Sequence, residues 1–365
     1  MADALGFAPD AEIRCRDYRI GCIGAGFIMA DVHLAAYHEA GFPVVAIASR
    51  TPEKAAEVAK RWGIGRVHPT PEALIEDPEV EIVDIAFPPD QQPALIRHAL
   101  RQPHVKAILA QKPLAMDFAT AKALAAEAKA AGKVLSVNQN MRFDQSMRVL
   151  KQVLDRGELG EPVIATIEMR AIPHWQPFLQ QYDRLTLLNM SIHHLDVLRF
   201  LFGDPTEIYT AARPDPRTTF RHTDGITVST LKFPSGLLAV SMEDVWSGPR
   251  EEGFRSDIYI KWRVEGTEGL AQGTIGWPDY PAGSPSTLRY NSKAATGGEW
   301  AQPSWDTMWF PHAFKGVMAQ LQDALKEGRE PMLSGEDNVR TMALVEAGYC
   351  SMKEDRPVRL AEFGY

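Results

Sequence analysis

Cysteine is scarce in this chain. Three residues in 365, Cys15, Cys22 and Cys350, show no CxxC spacing, so a disulfide framework is excluded and a reducing compartment is expected. Cys22 lies inside an apolar run and reads as a small buried residue. No histidine–carboxylate set has metal-ligand spacing, so no metal is expected, and no Ser–His–Asp arrangement is evident. No basic run offsets the net charge of −8, which argues against nucleic acid or another polyanion as partner. No apolar run approaches the roughly 20 residues that span a bilayer. Residues 1–16 carry acids, Gly6 and Pro9 in place of a basic-then-apolar signal, so the expectation is a flexible tail over 1–16 and a cytoplasmic protein with no membrane partner. Repeats and low-complexity segments are lacking too. A chain of this length makes two domains or one large one.

What is present begins at Tyr18. Tyr18 to Ile23 is a short apolar run that reads as a buried strand, Gly24 and Gly26 make a tight turn, and Phe27 and Ile28 open a helix that ends near Gly41. Strand, glycine turn and helix form a dinucleotide cradle. The first glycine permits the turn, the second lets backbone approach a pyrophosphate, and the helix start offers N–H groups and partial positive charge. Where a third glycine is usual, for close helix–strand packing, this chain has Met29 followed by Ala30.

Strand and helix signals then alternate. Val44–Ala48 is a strand; Thr51-Pro52 and Thr70-Pro71 are helix starts. Ile82–Ala86 is a strand stopped by Pro88-Pro89, a helix follows over 90–101, and Lys106–Ala110 is the next strand. Asp117 caps an alanine-rich helix ended by Gly132, and Val134–Val137 follows. Such alternation predicts a doubly wound parallel sheet, an α/β fold. After a helix at 145–155 the chain turns strand-rich, at 163–169, 226–233, 237–243, 258–264 and 270–275. Turns such as Pro234-Ser235-Gly236 suit antiparallel pairing. Helices are expected near 190–202, 311–326 and 335–352. The boundary falls near Val137–Asn140, giving a nucleotide domain over 17–138 and a second domain over 139–365, with the active site expected in the cleft between them.

Four stretches carry possible chemistry. Gln111-Lys112-Pro113 follows a parallel strand, where ligands bind in open α/β sheets. The proline restrains Lys112, which can bond a substrate hydroxyl and stabilise an alkoxide; a plain surface lysine is the competing reading. In Asn189-Met-Ser191-Ile-His193-His194-Leu-Asp196 the spacings of four and three put Asn189, His193 and Asp196 on one helix face. His193 can move a proton near neutral pH, and a polar stripe at a domain boundary is the alternative; His194 points elsewhere and has no assigned role. Asn140 and Arg142, at the domain junction, either hold cofactor or substrate hydroxyls or form a bonded hinge. Pro173-His174-Trp175, with Arg184, Trp246 and His312, offers the ring faces and donors that suit a sugar, though tryptophans are more often core.

Together these stretches resemble the Gfo/Idh/MocA family over nearly the whole chain, from about Tyr18 to Ser351. The marks are Gly24/Gly26, the Glu-Lys-Pro-like Gln111-Lys112-Pro113, Asn140 with Arg142, and an Asp-x-Gly-x-His-x-x-Asp pattern at Asn189, Ser191, His193 and Asp196. The chain departs from that pattern at Gln111 for glutamate, Asn189 for aspartate and Ser191 for glycine. The resemblance implies an N-terminal Rossmann domain followed by an α+β domain with a large, mostly antiparallel sheet. The open face of that sheet makes homodimer or homotetramer contacts in such proteins, and lysine and histidine flank the reacting carbon. It implies NAD(P) as cofactor, held by Gly24, Gly26, Phe27, Ile28, Ser49, Arg50, Pro88, Gln111 and Asn140. A sugar or polyol would meet Lys112, Arg142, Trp175, Arg184, Asn189 and His193, the catalytic set being Lys112, His193 and Asn189. The expected reaction is oxidation of an aldose at C1 to a lactone, a pentose such as apiose being one candidate. Inositol or polyol oxidation, an NAD-retaining glycosidase and a non-catalytic NAD(P)-binding protein are the alternatives. Strand two ends in Ser49-Arg50 without an acid, so strict selectivity for NAD is not expected.

Overall fold

A computed structural model of the chain describes residues 5–170, 177–244, 259–276 and 283–365. Pro173, His174, Trp175 and Trp246 lie outside the described residues. Two compact units form. One comprises Ala11–Asn140 with Pro311–Met342, the other Met1–Asp10 with Met141–Phe310 and Ala343–Tyr365. The chain passes from the first unit to the second at Asn140/Met141. The return of Pro311–Met342 to the first unit differs from the contiguous division expected.

In the nucleotide unit six strands lie in the order β3-β2-β1-β4-β5-β6. They are β1 (Ile20–Ile23), β2 (Val44–Ala48), β3 (Arg66–His68), β4 (Ile82–Ile85), β5 (Ala107–Ala110) and β6 (Val134–Val137). Every pairing is parallel, and three of these strands, β1, β4 and β5, are buried throughout, as parallel strands covered on both faces must be. The helices between them are α1 (Leu34–Ala40), α2 (Pro52–Trp62), α3 (Pro71–Ile75), α4 (Gln92–Leu100) and α5 (Phe118–Ala130). Local chemistry explains their ends. Asp117 accepts from the Thr120 N–H at 2.8 Å and Thr70 from the Ala73 N–H at 3.1 Å, while Gly41 and Gly63 close α1 and α2 with positive φ.

The returning segment supplies α8 (Ala313–Glu327), which packs on α1. Residues 11–16 are not loose: Cys15 is buried and Arg14 pairs with Asp323 at 3.1 Å. Residues 5–10 belong to the other unit, where Phe7 is buried edge-on against Tyr290.

That second unit holds a nine-stranded sheet, ordered β14-β13-β12-β11-β7-β10-β9-β8-β15. Its strands are β7 (Pro162–Arg170), β8 (Glu207–Arg213), β9 (Ile226–Lys232), β10 (Leu238–Asp244), β11 (Tyr259–Gly266), β12 (Gly269–Ile275), β13 (Thr287–Ser292), β14 (Trp300–Ala301) and β15 (Val358–Arg359). All pairs are antiparallel except β7 with β10. Burial alternates along β9 and β10, the mark of a sheet with one covered face. Helices α6 (Gln145–Asp155) and α7 (Ile192–Phe202) belong here, and α9 (Gly335–Glu354) runs from one unit into the other. Strands β8 and β13 were absent from the sequence reading: both alternate in burial, but polar residues dilute the signal.

Candidate active site

The glycine turn follows β1 as expected. Gly24 sits at φ 129°, and a Cβ there would meet the Ala86 carbonyl oxygen at 3.0 Å, so the position demands glycine on two counts. Gly26 and Phe27 are exposed, and a Cβ on Gly26 would meet nothing within 4 Å. The helix beyond is not α-helical from its start. Residues Ile28–His33 form a π-helical stretch before α1 begins, a local widening that recurs at functional sites. On the far side of this core, Asp84 accepts from Tyr37 Oη at 2.7 Å and lies 2.8 Å from His33 Nδ1. Asn138 Nδ2 is 3.0 Å from His33 Nε2, so a ring that donates from Nδ1 to Asp84 and accepts at Nε2 from Asn138 satisfies both neighbours.

Three further features sit at the carboxyl ends of the strands. Ser49, buried, accepts from the Thr51 N–H at 3.3 Å. Arg50, exposed, donates to Gln91 Oε1 at 2.9 Å and lies over the Phe87 ring at 5.4 Å, one residue before the half-buried Pro88. After β6, Asn140 is buried and donates to the Asn138 carbonyl, and the buried amide of Gln139 finds no protein partner among the described residues. A glycine-only turn, a cationic side chain beside it and a buried unsatisfied amide fit a dinucleotide. Gly24, Gly26, Phe27 and Ile28 would hold its phosphates, and Ser49 and Arg50 its adenosine ribose.

The loop after β5 carries Lys112, before a cis Lys112–Pro113 bond. The Lys112 N–H donates to the Gln111 side-chain oxygen at 3.0 Å, so Gln111 folds back on the loop it belongs to. Although the Lys112 side chain keeps some solvent contact, burial pulls its ammonium from 10.5 down to about 8. Sequence reasoning missed the residue that holds this loop. Gln92, fully buried at the first position of α4, donates to the carbonyls of Gln111, Pro113 and Leu114 at 2.8, 2.6 and 3.1 Å and accepts the Gln111 N–H at 3.0 Å.

In the second unit the segment before α7 is again π-helical, Leu187–Ser191. The expected α-helical face linking Asn189 to His193 is therefore altered, because a π turn holds more residues than an α turn. Asn189 is buried and its amide donates to the carbonyls of Leu185 and Arg184 at 2.9 and 3.3 Å. His193 is half-buried, edge-on to Trp309 at 6.0 Å. Asp196 faces Arg142, which donates two bonds of 2.6 Å to it in a buried fork. Arg184 is likewise forked onto Glu346, two bonds of 2.8 Å, and lies over the Tyr349 ring.

Buried acids anchor this segment. Asp224 accepts the N–H groups of Leu185 and Leu187 at 2.8 and 2.7 Å, with burial raising its carboxyl to about 6. Glu243, fully buried, is 2.6 Å from His194 Nδ1 and accepts hydroxyls from Ser241, Ser191 and Thr227 at 2.6, 2.7 and 2.7 Å. Burial opposes its charge, but His194 and the hydroxyls outweigh it and hold the carboxyl below its usual range. Thus Ser191 and His194 support the segment from behind. His312 belongs to the nucleotide unit, 3.5 Å from Glu39. Asp183 is exposed and accepts from the Thr223 hydroxyl at 2.7 Å. Among the described residues no group of His, Cys, Asp and Glu is arranged to hold a metal ion.

The oxidoreductase family with an NAD-binding Rossmann fold matches residues 18–139, and its GFO/IDH/MocA C-terminal domain matches residues 147–272. The chain belongs to the Gfo/Idh/MocA family. It is 30% identical to a D-apiose dehydrogenase of Paraburkholderia graminis over 93% of this chain and 88% of that one. It is 25% identical to a myo-inositol 2-dehydrogenase of Thermotoga maritima over 94% and 99%. Among solved structures, an Agrobacterium radiobacter oxidoreductase in complex with NAD+, L-tartaric acid and magnesium superposes with a TM-score of 0.79 at 25% identity, covering 95% and 99% of the two chains. As a Gfo/Idh/MocA protein the chain is an NAD(P)-binding oxidoreductase acting on CH–OH groups. Both of the family's domains are present, Rossmann sheet first and mostly antiparallel sheet second.

Proposed function

We propose that this enzyme oxidises the anomeric carbon of an aldose to a lactone, with a branched pentose of the apiose type as the first substrate to try. Lys112 carries the reading. An ordinary lysine is the free amine in fewer than about one molecule in a thousand at pH 7, whereas one titrating near 8 is free in roughly a tenth. That is a usable base for a hydroxyl proton. Bound NAD(P) supplies the hydride acceptor. Lys112 takes the proton from the C1 hydroxyl, His193 holds a neighbouring hydroxyl and serves as secondary acid/base, and Asn189 orients the segment through its carbonyl contacts. The anomeric hydroxyl, acidified by the ring oxygen, asks less of the base than a cyclitol hydroxyl does. The similarity to D-apiose dehydrogenase supports the same choice. Arg142 and Arg184, with their forks occupied, act here as anchors; Trp175 is retained as a sugar-stacking candidate.

Reduced cofactor should form in proportion to aldose in a screen of monosaccharides and cyclitols with both nucleotides. Turnover of an inositol with no aldose oxidised would reject C1 chemistry and favour the second reading, polyol oxidation, which the myo-inositol relative supports. We also infer a homodimer or homotetramer through the nine-stranded sheet. Ile164 and Leu238, paired across β7 and β10, are both exposed, as are Val163 and Val228, and sedimentation of the purified protein as a monomer would refute it. Three free thiols support the cytoplasm as its place of work.

A further inference from the structure

We infer that Gln92 is the positioning residue of the reaction, its side-chain amide setting the backbone from Gln111 to Leu114 and so the place from which Lys112 acts. The inference rests on the assignment of Lys112 made above. Strand β5 ends at Ala110. At the next residue Gln92 does what a neighbouring strand would do, accepting the Gln111 N–H and donating to the Gln111 carbonyl. The same nitrogen also reaches the carbonyls of Pro113 and Leu114, on the other side of Lys112. Both of those residues are buried, so no solvent replaces the bonds if the amide is removed. The two ends of the lysine's own backbone are thereby fixed from one fully buried point.

Few side chains meet this demand. The site needs two N–H donors and one acceptor on a single planar group, which among side chains of this length only glutamine provides. Glutamate keeps the acceptor and loses both donors, and methionine keeps the volume and loses all of them. The carbonyl of Pro88 accepts the Gln92 N–H at 3.2 Å, so the clamp is itself tied to the end of β4. A displacement of about 1 Å at a reacting group can cost on the order of 100-fold in rate, enough for a loosened loop to register in turnover.

The test is a double-mutant cycle on the holoenzyme, using the fastest-oxidised sugar of the screen above and NADH fluorescence for nucleotide affinity. Gln92→Met should lower kcat at least tenfold and change the NADH dissociation constant less than threefold, and Gln92→Glu should do the same if the first variant does not fold. Placed on Lys112→Ala, either change should cost less than a further twofold, because the group it positions is already gone. Wild-type kcat in both Gln92 variants, beside an inactive Lys112→Ala, overturns the inference and leaves the proposed function standing. A full multiplicative loss in the double variant also overturns it. Wild-type turnover in Lys112→Ala instead rejects the assignment of the base itself.

Discussion

The Lys112 loop and the Asn189–His193 segment are fixed by opposite means. Around Lys112 the holding groups are neutral amides, those of Gln92 and Gln111. Around His193 they are formal charges, Glu243 beneath Ser191 and His194, Asp224 at Leu185 and Leu187, and Asp196 forked by Arg142. The neutral clamp fixes position, and burial lowers the proton affinity of the Lys112 ammonium. Charged anchors hold harder and change the protonation of whatever they touch. Here they stand on residues other than the half-buried His193.

The largest effect should come from breaking the charged side. Glu243→Ala leaves His194 and three hydroxyls without their shared acceptor. Loss of one partner of a buried pair typically costs about 3–5 kcal/mol, read by urea denaturation. A loss below about 1 kcal/mol would show that Glu243 is no anchor. On the neutral side, Lys112→Ala should cut kcat by at least ~100-fold while NADH affinity stays near wild type, a split that a general loss of structure would not give.

Both contrasts were only half legible in the sequence. Gly24, the caps at Asp117 and Thr70, and the strand ends at Ala48 and Val137 could be read because each is decided by residues within a few positions. Lys112 and His193 stood out through their motifs. Gln92 did not, because its partners lie 19 to 22 residues away and a glutamine at a helix start carries no signal of its own. Arg142 invited a ligand role from its motif, yet its partner, 54 residues distant, is Asp196. The π-helical turns at Ile28 and Leu187 were read as ordinary helix, since hydrophobic spacing over five or six residues does not separate the two periods.

A third change probes the cofactor end of the neutral region. Arg50 is the cation where an acid would select NAD, held by Gln91 and Phe87. Arg50→Ala should weaken NADPH binding relative to NADH by roughly 10-fold or more, the worth of one charge-assisted bond, about 1.5–3 kcal/mol. Equal losses for both nucleotides would place Arg50 on the adenine instead of the 2′-phosphate. The smallest expected effect converts the neutral clamp into a charged one. In Gln111→Glu a carboxylate favours the ammonium, so the Lys112 pKa rises from about 8. The limb of kcat that needs the free amine then moves about one unit to higher pH. Turnover at pH 7 drops roughly tenfold and recovers at alkaline pH; an unmoved limb would show that Lys112 is not the titrating base.

The return of Pro311–Met342 to the nucleotide unit bears on how the chain is made. The ring of Phe314 of α8 lies tilted with its centroid 4.9 Å from that of His33, and Ser334 bridges to Ser136 on β6. During vectorial synthesis the six strands emerge first, but the surfaces of α1 and β6 stay uncovered until residues past 311 leave the ribosome. The other unit waits for Ala343–Tyr365 in the same way, with β15 closing the free edge of β8. Neither unit is complete until residues past 311 have been made, so a ribosome stalled or a chain cut between 140 and 310 leaves two incomplete cores in place of one finished and one missing domain.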